Sequence, residues 1–446
     1  MKTVAAVLAF APLVLLAALG AAPAQAQVEQ VRSESRPLPR LVEKDGRFAL
    51  LVDEAPFLIM GIEDLTMGDW PVRANVWSAL EYMHVNTVEI AVYWQDFEPR
   101  PGQYDYAVID RLLAEARAHD VRLVPLWFGS SKNGRPTYTP DWMKLDPARY
   151  PHALDKNGQA VDSPSPFATD SLEADKRAFA ALLTHLKQVD PQRTVIMVQV
   201  ENETGNWYSV RDYSPAAQQH FKASVPPEIL KAMHVAPAAR SANWEQAFGA
   251  DAEEYFNAWS VARYVGEVAA AGKAVYPLPM VANAALRDPF HPGPPGVRGA
   301  PGAYESGGPT DNVLDIWKAA APAIDILGPD VYQPNPASYM QVLQRYHRND
   351  NPLYLPETGC ADCARFFFAG LGLQSIGFSP ATDVTRPALL GVQAGIEAAQ
   401  AGNPDAWIDY RPLDEFLTSW GMDFRLIGPM QREIARLNFL GKLQAG

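Results

Sequence analysis

From residue 57 onward, short apolar runs alternate with amphipathic stretches. Phe57–Gly61 (FLIMG), Thr87–Val92 (TVEIAV), Arg122–Phe128 (RLVPLWF) and Thr194–Val200 (TVIMVQV) are brief and rich in β-branched or aromatic residues. That is the pattern of strands buried on both faces. Pro279–Ala282 (PMVA), Ile324–Leu327 (IDIL), Leu353–Leu355 (LYL) and Ser375–Phe378 (SIGF) continue the series more faintly. Helical periodicity falls between them: Val76–Met83, Tyr106–Asp120, Ser171–Asp190, Ala252–Ala271, Asn312–Ala320, Ala337–Arg345, and a helix beginning at Ala364–Ala369. In the second of these, Ile109, Leu112, Leu113 and Ala116 share one face. In the third, Asp170 and Glu173 have capping-box spacing. Two stretches carry no clear period, Trp207–Gly249 and a Gly/Pro-rich loop over 288–309. Amphipathic segments close the chain from about Ala388.

Eight strand–helix units predict a parallel sheet closed into a (β/α)8 TIM barrel, one domain over residues 45–446. The rival, an open doubly wound sheet, predicts a Gly-rich phosphate loop after the first strand, and GIEDLTMGDW is not one. Residues 1–26 read as a secretory signal peptide. Lys2 precedes an apolar run over Val4–Ala22, and Ala24-Gln25-Ala26 offers a cleavage site. A membrane anchor is the alternative reading of that run. Residues 27–44 read as a polar N-terminal tether. The mature protein is thus expected in a bacterial periplasm or beyond, with no membrane attachment after cleavage.

Composition narrows the partners. The net charge of -13 disfavours a nucleic-acid surface and suits a soluble protein handling neutral ligands. With 48% hydrophobic and 20% charged residues, disorder is not expected. The chain has two cysteines, Cys360 and Cys363. In an oxidising compartment they are a disulfide candidate, ahead of a redox pair or a metal site.

In such a barrel, function gathers at the C-terminal ends of the strands. There the apolar runs close on Glu63 and Asp64; on Tyr93, Trp94 and Glu98; on Trp127 with Lys132 and Asn133; on Glu201, Asn202 and Glu203; on Asp330 and Tyr332; and on Glu357. Histidine metal pairs and a Gly-x-Ser-x-Gly elbow are absent from the sequence, so no metal or cofactor is expected. Carboxylates, amides and aromatic rings suit a carbohydrate. Cleaving a glycosidic bond takes one protonated carboxyl and one ionised carboxylate. Glu201 and Glu203 lie two apart, so strand alternation puts them on one side, where repulsion would raise the proton affinity of at least one.

MVQVENETG resembles the VQVENEYG motif of β-galactosidases of glycoside hydrolase family 35, in the clan of retaining (β/α)8 enzymes that includes family 42. NTVEIAVYWQDFEPRPGQYDY is similar to that family's second-strand segment. LVPLWFGSSKN, DIWKAAAPAIDILGPDVY, LPETG and GFSP resemble a bacterial, secreted branch. The likeness spans roughly residues 45–440. It implies that Glu203 is the acid/base, Glu357 the nucleophile, Asn202 the partner of the sugar 2-hydroxyl and Glu201 a supporting group. Glu63, Trp94, Trp127, Lys132, Asn133 and Tyr332 are then substrate-side residues, Tyr332 bonding the nucleophile. The implied activity is a secreted, retaining exo-β-glycosidase acting on terminal β-galactosyl groups of oligo- or polysaccharides. Another β-linked sugar is an alternative, as is an inactive periplasmic sugar-binding protein. Ala91 stands where the family has tyrosine, and Lys132 and Asn133 where it has glutamate. The branch's C-terminal β-rich domain is expected to be missing. The sequence leaves oligomeric state open.

Overall fold

The computed structural model describes residues 36–64, 76–236, 241–287, 290, 301–359, 361–382 and 413–443, which all belong to one compact unit. The expected signal peptide, residues 27–35 of the expected tether, and Cys360 lie outside them.

The strands, in chain order, are β1 (Arg40–Lys44), β2 (Arg47–Val52), β3 (Ala55–Phe57), β4 (Ile59–Asp64), β5 (Thr87–Tyr93), β6 (Arg122–Lys132), β7 (His152–Leu154), β8 (Ala160–Pro164), β9 (Val198–Asn202), β10 (Met280–Ala285), β11 (Ile326–Val331), β12 (Tyr354–Thr358) and β13 (Gly377–Thr382). Eight of them close a parallel barrel in the order β4-β5-β6-β9-β10-β11-β12-β13. All eight predicted strand runs correspond to barrel strands. Their inner and outer faces are both covered, which is why they read as continuous apolar runs. The outer faces pack on helices such as Ala107–Ala118, which buries Ile109, Leu112, Leu113 and Ala116 as the periodicity predicts.

The barrel interior is a second core of Ile59, Ala91, Val124, Leu126, Phe128, Val281, Ile326 and Tyr354. Leu50, Val52 and Phe57 from the antiparallel sheet β1-β2-β3 join it next to the start of β4, so this small sheet plugs the N-terminal end. Residues 40–44 are therefore not tether. They pair along β2 from Arg40↔Leu51 to Lys44↔Arg47.

The helix Thr169–Val189 starts after Ala168 with no side-chain cap. Asp170 and Glu173 do not form the expected capping box. Their carboxylates instead meet Arg149, at 3.1 Å, and Lys176, at 2.7 Å. Cys363 is disulfide-bonded, and the chain's one other cysteine is Cys360. Among the described residues, no helix is long and apolar enough to cross a membrane.

Candidate active site

Three carboxyl groups meet at the C-terminal end of the barrel. Glu203 just after β9, Asp330 in β11 and Glu357 in β12 are all buried, and one oxygen from each lies within 4.8 Å of the others. Asp330 and Glu357 are register neighbours, as are Lys132 and Asn202. Glu63, one residue before the end of β4, is buried close enough to Glu357 for its charge to raise that group's cost of ionisation. Glu203 and Glu357 come together although two barrel strands, β10 and β11, separate them along the chain.

Electrostatics follow from the crowding. Burial raises the Glu63 carboxyl to about 7, against the pull of the Lys132 ammonium. Burial, then the charges of Glu63 and Glu203, hold Glu357 well above the usual carboxylate range. Burial, then Glu357 and Glu203, do the same to Asp330. Burial disfavours the Lys132 charge, but Glu357, Glu203, Glu63 and Asp330 outweigh it and raise its affinity for the proton. Lys132 is the counter-charge that lets the carboxyls coexist. The three clustered carboxyls are also the donor set that would hold a cation, and the lysine ammonium competes for that role.

Each reacting group is held by neighbours. The Asn133 amide donates to Glu203 Oε2, and the Glu203 backbone N–H donates to Asn283 Oδ1 at 2.9 Å. The loop after β6 is laced onto the end of β9: Asn133 N–H donates to the Asn202 carbonyl at 3.0 Å, and Gly134 N–H to that of Glu203 at 2.9 Å. The Tyr332 hydroxyl donates to Glu357 Oε1, as the sequence predicts, while Glu357 Oε2 has no donor. Gly359 makes room for that tyrosine, since a Cβ there would stand 2.2 Å from its ring. Asn202 Oδ1 accepts from Gln199 at 3.0 Å and from Asn283 at 3.1 Å, but its buried Nδ2 donates to nothing. A buried donor left open is costly unless a ligand completes it.

Three predicted site residues lie elsewhere. Glu201 does not share a side with Glu203. Its backbone sits at φ 61°, which breaks the strand alternation on which that expectation rested. Its carboxylate turns to the Ser130 and Ser131 N–H groups, at 3.2 and 2.7 Å, and to Asp175 on the surrounding helix. Gly129 leaves the space: a Cβ there would lie 2.7 Å from Glu201 Oε1. Trp94 and Trp127 are not platforms. Both are fully buried on the helix side of the barrel, with indole N–H groups donating to Glu98 at 2.7 Å and Asp175 at 2.8 Å.

Other residues escaped the sequence reading. Asp330 was visible as a strand end but drew no role. Asn283 lies one residue past the predicted fifth strand. Glu305 sits in the Gly/Pro-rich stretch, where no period exists. Glu89 had a signal, a lone acid within the apolar run of β5. It lies inside the barrel, beside Glu63 in register, and its Oε1 accepts from the hydroxyls of Tyr354 and Ser379. Burial raises it to about 8. The folded state thus binds this proton more tightly than the unfolded chain, so the stabilisation present below about pH 4.3 is lost as pH rises through 8. Glu89→Gln is expected to remove that loss, narrowing the gap between the Tm at pH 5 and at pH 8. An unchanged gap would show that Glu89 is not the group titrating.

Residues 70–265 match the family model described as Glyco_hydro_42, Beta-galactosidase. The family 35 assignment is not confirmed, because the match is to family 42, which differs from it. No curated protein matches. Among solved structures, the catalytic domain of a β-amylase from Paenibacillus polymyxa is similar at 12% identity and TM-score 0.54, over 80% of this chain and 96% of that one. A β-galactosidase from Bacillus circulans sp. alkalophilus is similar at 12% identity and TM-score 0.51, over 72% of this chain and 50% of that one. An exo-β-1,4-mannosidase from Opitutaceae bacterium strain TAV5 is similar at 17% identity and TM-score 0.50, over 87% and 63%. The chain therefore spans half of that β-galactosidase and less than two thirds of the mannosidase. At these identities the structural likeness speaks to the fold, a TIM barrel of the type found in glycoside hydrolases.

Proposed function

We propose that this protein is a retaining β-glycosidase that is exported and removes terminal β-galactosyl residues from oligo- or polysaccharides. The observation that carries the reading is the approach of Glu203 and Glu357 to within 4.8 Å at the strand ends. Retaining enzymes hold their carboxyl groups about 5–5.5 Å apart, whereas inverting ones leave about 6.5–9.5 Å for a water. The family-42 match supports the same class.

The chemistry runs in two displacements. Glu357 Oε2, the oxygen without a donor, attacks the anomeric carbon while the glycosidic C–O bond breaks. Glu203 gives its proton to the departing oxygen. Water then attacks the same carbon, Glu203 takes its proton, and Glu357 is released. Burial and the neighbouring Glu63 and Glu203 charges raise the proton affinity of Glu357, so the nucleophile must lose its proton before it attacks. Tyr332 then steadies the carboxylate. Asn202 Nδ2 is the open donor for the sugar 2-hydroxyl. No step requires a cofactor.

Lys132 and Asn133 at the end of β6 favour a second reading of the sugar. Where the resemblance leads one to expect glutamate, an ammonium and an amide face the site, and mannose or arabinopyranose would replace galactose. A panel of 4-nitrophenyl β-glycosides, with calorimetry beside it, separates the cases. The β-galactoside is expected to turn over fastest. A different sugar would move the specificity. Affinity without hydrolysis of any member would contradict the enzyme and favour a sugar-binding protein.

A further inference from the structure

Immediately beyond Glu203 the chain presents two aromatic rings that the reaction does not use. The Trp207 indole N–H donates at 2.9 Å to the carbonyl of Asn133, the same residue whose amide holds Glu203. Its ring is half-buried and tilted against Tyr208, with centroids 6.0 Å apart. Tyr208, five residues beyond Glu203, is 63% exposed.

The platform is fixed before any ligand arrives. Asn206 and Ser306 exchange backbone hydrogen bonds at 2.8 and 3.2 Å, and Tyr208 N–H donates to the Gly302 carbonyl at 2.9 Å. Tyr208 is held at φ 61°, a conformation that bulky residues seldom take unless their surroundings impose it. Gly205, at φ 142°, lets the two loops touch: a Cβ there would lie 2.4 Å from the Glu305 carbonyl oxygen.

Behind the rings stands Glu305. It is 3% exposed, it packs with Trp207 around Gly134, where a Cβ would stand 3.0 Å from the indole and 3.3 Å from the Glu305 side chain, and its Oε2 has no partner. Burial, then the Glu203 charge, hold its carboxyl well above the usual range, so it keeps a proton to donate. A ring face beside a buried carboxylic acid offers a sugar what it needs, C–H stacking and a hydroxyl partner.

We propose that Trp207, Tyr208 and Glu305 form the binding site for the leaving-group sugar, so that the substrate is an oligosaccharide rather than a glycoside of a small alcohol. The assignment rests on the reading above, because the group departing from Glu203 must pass this side of it. A rigid platform also lowers the ordering cost of holding a flexible sugar.

The test compares two probes, β-1,4-galactobiose and β-galactosyl fluoride, or the same pair built on whichever sugar the glycoside panel selects. Fluoride leaves without occupying the platform. Tyr208→Ala, at an exposed position, and Glu305→Met, which cannot donate, are expected to lower the ratio of kcat/KM for the disaccharide over that for the fluoride by about tenfold. The loss should fall mostly on KM. Parallel losses on both probes, or an unchanged ratio, would overturn the site. If the parent protein turns over neither probe, the glycosidase reading fails, and the leaving-group site fails with it.

Discussion

Glu357→Ala is expected to lower turnover of aryl β-glycosides by about 10^4-fold or more, because it removes the carboxylate that attacks the anomeric carbon in the first displacement. Azide should restore activity to this variant by attacking from the vacated face, giving the α-glycosyl azide. Glu203→Ala should behave differently. Its kcat falls by about 10^2–10^4 for poor leaving groups and far less for dinitrophenolate, which departs without a proton. Azide then enters the second displacement and gives the β-glycosyl azide. The contrast in product stereochemistry separates the two roles by polarimetry or NMR. Identical azide products from the two variants would reverse or remove the assignments. Loss of fold is a modest risk for Glu357→Ala, since Glu357 Oε2 has no donor and its neighbour Glu63 remains.

The pH profile carries the second large effect. Catalysis needs Glu357 ionised, and burial with the Glu63 and Glu203 charges raises its proton affinity. The acid limb of kcat/KM is therefore expected well above the ordinary glutamate range of about 4.3. Glu63→Gln removes one like charge and supplies an amide donor in its place. Both changes favour ionised Glu357, so the limb moves to lower pH. A limb that stays put, or moves up, would show that Glu63 does not raise the nucleophile's proton affinity.

The barrel was legible because its strands are buried on both sides, which leaves short apolar runs that no helix period explains. The same rule ended several strands too early. β6 runs on to Lys132, β11 to Val331 and β12 to Thr358, because Ser130–Lys132, Gly328–Asp330 and Pro356–Thr358 interrupt the apolar runs that marked the strands. The closeness of Glu203 and Glu357 was legible from their motifs, and the Tyr332–Glu357 contact from the family resemblance. Glu201 was misplaced because its backbone turn depends on Asp175 and on Gly129, neither of which signals itself in the chain. Trp94 and Trp127 were misplaced because a strand-end position does not say on which side of the barrel the ring falls. Asn283 and Glu305 come together with Glu203 only through tertiary packing, and Glu305 belongs to a stretch without any period.

The most direct test is to trap the first displacement. A 2-deoxy-2-fluoro-β-galactosyl fluoride slows both steps by withdrawing charge from the oxocarbenium-like centre, and its good leaving group lets the glycosyl-enzyme accumulate. Mass mapping of the inactivated protein is expected to find the fluorosugar on Glu357. A label on Glu203, or hydrolysis that releases the α-anomer first with no label at all, would contradict the pairing of these two carboxyls as nucleophile and acid.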